Sequence, residues 1–467
     1  MQESRPLILG AGPAGLACAD ALCRAGVRPG VVEKNSSAGG LCRTLEFEGF
    51  LFDIGGHRFL SSDPEVNRLW REVLGADLLR VNRKSRIYYR ERFFDYPLEP
   101  LSALRTLGLA ESARCVASYL FSRWSGKPDE RRFEGWMTRR FGKRLYEIFF
   151  KSYTEKVWGI PCGELSSDWA VERIQSLSLR KALLRKLIGK SSPKTLSEEF
   201  FYPRRGPGLF CDRWKALLES RGAHFSMDCR AEEIFTAGNR VTEVLVSEAG
   251  GESVRRPAAH LFSSIPLPLL VQKMNPAPPD DVLDAARNLK FRSFMAVNLV
   301  FDQKEIFPDN WIYVHSPGIR AARIQNYKNW SDSMVPDPSM TTLGVEYFVD
   351  EGDDLWKLSD AAMMELALRE LEEMRLVVPG RFVKGFVFRV SHAYPVYGPD
   401  YRKNLAAVLS FLDRFENLSL MGREGLFRYD NSDQAMLTGL EAAGNYLKNS
   451  VLSAVAETFP EAEVLRS

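Results

Sequence analysis

The first 34 residues hold the feature that most limits the fold of this chain. Residues 6–9 read as an apolar strand, Gly10-Ala11-Gly12-Pro13-Ala14-Gly15 as a turn, residues 13–25 as a helix closed by Gly26, and a second strand runs from Gly30 into Glu33 and Lys34. Each glycine in such a turn has a physical purpose. Gly10 permits the tight turn, Gly12 lets backbone approach a pyrophosphate, and Gly15 lets helix and strand pack closely. The helix start offers free N–H groups and the positive end of its dipole to phosphate. Glu33, at the end of the second strand, is placed to accept ribose hydroxyls. A glycine turn that holds no ligand would leave the register of strand, helix, strand and terminal acid unexplained.

Two more glycine turns follow. Gly39-Gly40-Leu41-Cys42-Arg43 lets the chain pass close to a bound pyrophosphate, with Arg43 as a nearby cation. Gly55-Gly56-His57 can bring backbone against a flat ring. Together they favour FAD over NAD. His57 is the histidine beside such a turn, although a loop histidine is also a common satisfied polar group.

Composition narrows the class. Of 467 residues, 45% are hydrophobic and 26% charged, and the net charge is +3. That length suits two or three domains, and the charge balance argues against a nucleic-acid partner. Seven scattered cysteines without a C-x-x-C pair fit a reducing compartment, so a cytoplasmic location is expected. The five dispersed histidines form no ligand pattern, and no metal is expected. No apolar run reaches the roughly 20 residues of a membrane span, and no secretory signal is expected.

The expected fold class is α/β. A Rossmann-like FAD-binding domain of the glutathione-reductase type carries an inserted helical region and a mixed-sheet substrate domain. Residues 1–60, 201–265 and 411–467 are expected to form the discontinuous FAD-binding domain, 61–200 a mainly helical cap, and 266–410 the substrate-domain sheet. The periodic stretch 101–124 is apolar, but Arg105, Glu111, Arg114 and Arg123 interrupt it. A bundle helix is expected there rather than one lying on a membrane. Near the C-terminus, Gly422-Arg423-Glu424-Gly425 feeds a helix expected over 432–447, a second helix start suited to a pyrophosphate or a flavin carbonyl.

Residues 141–179 are the most informative block. They contain Tyr153-Thr154-Glu155-Lys156-Val157-Trp158-Gly159, then Glu164-Leu165, then Arg173. Tyr153 and Trp158 are amphipathic aromatics that can stack on a base, and Arg173 can clamp an anion. By residue type alone, two core aromatics and a surface arginine is the simpler reading. The block resembles the UDP-galactopyranose mutases. So do Arg323-Ile324-Gln325-Asn326-Tyr327, His392-Ala393-Tyr394-Pro395-Val396-Tyr397 and Gly422-Arg423-Glu424-Gly425-Leu426-Phe427-Arg428-Tyr429, in the same order. The N-terminal glycine turns resemble the wider flavoprotein superfamily of amine oxidases, protoporphyrinogen oxidases and phytoene desaturases.

The mutase resemblance implies an isomerase that interconverts pyranose and furanose forms of a sugar nucleotide, with N5 of reduced FAD as nucleophile. It implies that Tyr153, Trp158, Arg173, Arg323, Tyr394, Tyr397 and Tyr429 bind substrate. It implies that His57, Arg173 and Arg323 serve catalysis, and that Gly55, Gly56, Gly422, Arg423 and Tyr429 contact the cofactor. NAD(P)H or another reductant is the implied electron source. Two positions depart from the family pattern: Val345 stands where many bacterial mutases carry arginine, and Asn431 where aspartate is usual. Two other functions stay open. An oxidase or dehydrogenase of the amine-oxidase and protoporphyrinogen-oxidase type shares the glycine turns and predicts an apolar pocket. A FAD-bearing redox sensor would leave the tyrosines and arginines without a role.

Overall fold

The computed structural model describes residues 5–98, 100–122, 128–168, 198–248 and 250–458. The chain is α/β. Arg5–Leu9 lies inside an eight-stranded sheet, parallel to Gly30–Val32 on one side and to Ser253–Ser263 on the other. His224–Ser226 extends the parallel part beyond Gly30–Val32, and Leu418–Leu420 pairs parallel with Ser253–Ser263. Arg230–Ala237, Arg240–Ser247 and Ser253–Ser263 form an antiparallel meander. Parallel strands covered on both faces are apolar throughout. Accordingly Leu7, Leu9 and Val32 enter one buried cluster, while Ile8 and Val31 enter another.

Helix Pro13–Arg24 follows the first strand directly, with Pro13 at its first position, where a missing N–H costs nothing. The C-terminal helix Ser432–Thr458 crosses it closely: a Cβ on Gly439 would lie 2.1 Å from the Ala14 carbonyl oxygen. Helices Pro64–Leu74 and Pro207–Ser220 complete this layer. A stack of Phe59, Trp70 and Phe210 joins them, with ring centroids 3.8 and 4.1 Å apart.

A second sheet has the order Phe382–Pro395, Phe291–Phe301, Thr341–Val349, Arg323–Asn326, Trp311–Val314, Ser85–Tyr89 and Arg92–Asp95. Strand residues alternate between faces. Leu343, Val345 and Tyr347 join Met363, Ala367 and Leu371 of helix Asp360–Glu373 in one apolar cluster. Glu346 takes the opposite face and pairs with Arg323. Val345 is therefore core, and its departure from arginine removes no cation from the Arg323 side.

Among its described residues, the segment 61–200 carries strands where helix was expected, and Glu199–Pro203, which begins inside it, pairs with Leu78–Asn82. Leu78–Asn82, Ser85–Tyr89 and Arg92–Asp95 are strands, and the last two extend the second sheet. Each is too short for its alternation to stand out beside charged neighbours. The stretch read as one helix over 101–124 is two, Pro100–Leu107 and Leu109–Ser122, separated at Gly108 with φ +86°. A left-handed glycine ends a helix at little cost. Further on, a π turn at Glu147–Lys151 leads into Ser152–Trp158, which Gly159 closes with φ +69°. No helix among the described residues is long and apolar enough to cross a membrane.

The close crossing at Gly439 makes a stability prediction. Gly439→Val should destabilise the fold by about 1–3 kcal/mol, read as a lower thermal midpoint. Gly444→Ala, where nothing lies within 4 Å of the added carbon, should leave the midpoint unchanged or raise it.

Candidate active site

A cavity of about 470 Å³ opens where the first sheet meets the starts of helices Pro13–Arg24 and Ser432–Thr458. Gly10, Gly12, Pro13 and Ala14 line it from the first glycine turn, and Glu33 and Lys34 from the second strand. Gly40, Leu41 and Arg43 line it from the following loop, and His57, Gly422 and Arg423 from two distant turns. Gly15, Gly39, Gly55, Gly56 and Tyr429 are outside this lining. Gly15 packs behind it, where a Cβ would lie 1.9 Å from the Gly10 carbonyl oxygen. Gly39 donates its N–H to the Ala11 carbonyl at 2.8 Å, which ties the second turn to the first. A Cβ on Gly40 would lie 3.3 Å from Gly12 Cα, so two bare backbones face each other.

These features fit a dinucleotide. Gly12 caps the first helix without any side-chain hydrogen bond, which leaves the first N–H groups open to phosphate. The Glu33 carboxylate is buried and held by Ala11 N–H at 2.8 Å and Asn35 N–H at 3.0 Å. Arg43 is oriented through the Gly40 carbonyl at 3.0 Å. Asn431 lines the cavity, and its neighbour Asp430 is buried and paired with Arg428 at 2.8 Å. The carboxylate at this helix start is thus one residue earlier than the resemblance implies.

His57 Nε2 lies 2.8 Å from the Ile54 carbonyl oxygen. Burial is the main cause that holds its pKa down at about 4, with Arg423 and Arg323 acting in the same direction. At neutral pH the ring is uncharged. Nε2 then carries the proton, and Nδ1 is left as an acceptor.

The second sheet, the end of helix Ser152–Trp158 and the turn at 422–429 together supply an aromatic and cationic cluster. Trp158 lies 5.5 Å from Tyr429 and 6.5 Å from both Tyr394 and Tyr397, centroid to centroid. Tyr394 and Tyr429 stack at 5.5 Å, and the Arg423 guanidinium lies 5.1 and 5.0 Å over their rings. Tyr397 accepts the Tyr429 N–H at 2.9 Å. Tyr153 stacks on His315 at 4.7 Å. Burial pushes the Tyr153 and Tyr394 phenols up while Arg323 opposes it, so both stay protonated donors.

Arg323 donates to Glu346 through Nε at 2.7 Å and to the Tyr394 hydroxyl at 3.2 Å. Burial works against its charge, and Glu346 more than restores it. Arg423 donates instead to the carbonyls of Asp430, at 2.8 and 2.5 Å, and of Ala393, at 3.2 Å. Among the described residues it has no carboxylate within ion-pair distance. Arg173 lies outside the described residues.

Several contributors escape a sequence reading. Gln325 donates to Glu346 Oε1 at 2.9 Å, and a Cβ on Gly56 would lie 2.7 Å from Gln325 Nε2. The period of two on Arg323–Asn326 puts Arg323 and Gln325 on one face, but the register that brings Glu346 opposite is not local. Asn35 and Arg230, which also line the cavity, had no motif to mark them.

The profile of flavin-containing amine oxidoreductases matches residues 13–443. The chain belongs to that family, and its cofactor is FAD. It is similar in fold to a reduced UDP-galactopyranose mutase, with a TM-score of 0.81 and 22% identity over 96% of each chain. A putative protoporphyrinogen oxidase from Exiguobacterium sp. 255-15 superposes with a TM-score of 0.73 and 18% identity, over 96% of this chain and 99% of that one. A zeta-carotene-forming phytoene desaturase of Myxococcus xanthus is 24% identical over 285 residues, which span 57% of this chain and 54% of the desaturase.

Two predictions follow from this geometry. Glu33→Ala should weaken FAD binding by about tenfold, measured by release of flavin fluorescence, since a hydrogen bond to a charged group is worth about 1.5–3 kcal/mol. Acid stability should depend on His57. An unfolded histidine protonates near 6.5, whereas His57 stays neutral to about 4. The unfolded chain therefore takes up its proton first, and stability falls as pH drops through that window. His57→Gln should remove one histidine's share of this fall in urea unfolding compared at about pH 7.5 and pH 5; His260, His315 and His392, also depressed, act in the same direction, and Asp53, raised to about 7 by burial, acts in the opposite one.

Proposed function

We propose that this chain is a FAD-dependent sugar-nucleotide mutase that interconverts pyranose and furanose rings. One observation carries the reading: Trp158, Tyr394, Tyr397 and Tyr429 form one aromatic cluster, and Arg323 and Arg423 both reach it at Tyr394. Such a cluster suits a nucleoside diphosphate. Aromatic faces take the base, and phenols with guanidinium forks take the phosphate oxygens. An oxidase of apolar substrates has no use for the Arg323 cation in its pocket. The fold shared with a UDP-galactopyranose mutase is consistent with this reading.

Reduced FAD, when bound, supplies a nucleophilic nitrogen without net electron transfer. The other tasks fall to the protein. Arg323 keeps 18% of its side-chain surface exposed, so it can meet a ligand while Glu346 fixes its direction. Among the described residues Arg423 has no carboxylate within ion-pair distance, and the adjacent Glu424 supports its charge from farther away. Arg323 would hold the departing diphosphate close enough to return, with Tyr394 and Tyr429 as hydroxyl donors, while Arg423, which lines the cofactor cavity, would face the flavin. Tyr153 and Tyr397 would frame the nucleotide, Arg173 would add an anion contact, and neutral His57 would stand beside the flavin without competing for a proton.

The similarity to a phytoene desaturase favours a second reading, a net oxidoreductase. The two differ in their need for an oxidant. The mutase reading expects dithionite-reduced enzyme to convert UDP-galactopyranose to its furanose isomer, and oxidised enzyme to leave it unchanged. Arg323→Ala should lower kcat/KM by about a hundredfold, the scale of the ~3 kcal/mol for removing one partner of a buried pair. Turnover that consumes a stoichiometric oxidant assigns the chain to the second reading.

A further inference from the structure

Helix Leu109–Ser122 buries one residue, Cys115, among its fourteen. Its opposite face is apolar and open. Leu109 is 93% exposed, Phe121 73%, Leu120 57% and Val116 50%. Ala113 and Ala117 are also exposed. Positions 109, 113, 116, 117 and 120 recur at the spacing that shares one side of a helix, and Phe121 widens the stripe. From Leu109 to Phe121 the stripe runs about 18 Å along the axis. An open apolar face of this kind marks an interaction surface rather than scattered exposure.

The rim of the stripe is basic. Arg114 is 71% exposed, and Arg105, on the preceding helix, is exposed as well. A hollow of about 440 Å³ beside the helix is lined by Arg114, Lys143 and Arg144, with Ser118 and Glu147. Glu111 pairs with both Arg114 and Arg144, and Glu147 lies 3.7 Å from Arg144. Both acids are thus occupied by guanidinium groups.

We propose that this face docks on an anionic lipid surface, with the stripe from Leu109 to Phe121 entering the interface and Arg105, Arg114 and Lys143 meeting the headgroups. An amphipathic helix binds such a surface through its apolar area together with its basic rim. A second copy of the chain fits less well. The stripe is centred near residue 115, so an isologous antiparallel pairing sets Arg114 against Arg114 of the other copy. A planar anionic surface uses that charge instead of opposing it.

Cosedimentation of the FAD-loaded full-length protein with vesicles tests this. Binding is expected to vesicles of phosphatidylcholine mixed with phosphatidylglycerol, to weaken with added salt, and to fall sharply on phosphatidylcholine alone. Phe121→Ser and Leu109→Ser should each lower the partition coefficient by about tenfold, since each removes a large exposed apolar group. Arg114→Glu should do the same on mixed vesicles only. Bound flavin absorbance and the thermal midpoint check the fold, and Leu109, at the first position of the helix and almost fully exposed, can be replaced without touching the core. Failure of the wild type to bind mixed vesicles overturns the proposal, as does binding that Leu109→Ser and Phe121→Ser leave unchanged. A wild-type dimer that these variants split, without vesicle binding, assigns the face to a second copy and overturns it too.

Discussion

The contact between Arg323 and Glu346 is the constraint on which the rest of the site depends. The two residues are register partners on neighbouring strands, and Glu346 is fully buried. An enclosed carboxylate is costly without a close cation and further hydrogen bonds. Glu346 has both, from Arg323 and from Gln325. The direction of the Arg323 guanidinium is therefore set by strand pairing in a seven-stranded sheet, not by a loop. Groups carried on paired strands hold their geometry better than groups on loops.

The same carboxylate couples the two halves of the site. A Cβ on Gly55 would lie 3.5 Å from Glu346 Oε1, and Gln325 sits directly behind Gly56. The turn that carries His57 thus rests on the residues that orient Arg323. Below it, Asp53 is buried, accepts from Tyr202 at 2.5 Å and from Thr44 at 2.8 Å, and is pushed up to about 7 by burial. The Tyr327 hydroxyl donates to the Asp53 backbone carbonyl at 2.9 Å. The strand Phe50–Asp53 is pinned by Tyr327, which directly follows the Arg323–Asn326 strand of the second sheet, so the glycine turn after it has little freedom.

What could be read from the sequence follows from how local each cause is. Gly10, Gly12 and Gly15 act within one turn, through sterics that a short stretch displays completely: Gly10 and Gly12 line the cavity, and Gly15 packs behind it. Tyr153, Trp158, Arg323, Tyr394 and Tyr429 lie far apart in the chain, with no local pattern to join them. They were legible through resemblance, whereas the partnership of Glu346 with Arg323 and Gln325 needed the strand register. Val345 and Glu346 show the difference most directly: adjacent in sequence, one is core and the other is the centre of the site. The helix read over 101–124 failed for the opposite reason. Its apolar periodicity runs through Gly108 without a break, and the left-handed turn there is a backbone event that hydrophobicity does not record.

The contrast between Arg423 and Arg323 gives the clearest view of what the pocket is for. A guanidinium half enclosed by protein gains from a carboxylate, and Arg323 has one. Arg423, which lies over Tyr394 and Tyr429, is held by carbonyl dipoles and aromatic faces. Those partners orient the group without cancelling its charge. Two cations thus meet at Tyr394, and among the described residues only Arg323 has a carboxylate within ion-pair distance. Both guanidinium groups act on the His57 turn, and His57 stays uncharged partly because of them. A pocket with that field favours whatever carries negative charge at the moment of reaction. A departing diphosphate carries such charge, and an apolar polyene does not; Arg423 lines the cofactor cavity and serves FAD in either reading, so Arg323 is the cation that separates the two.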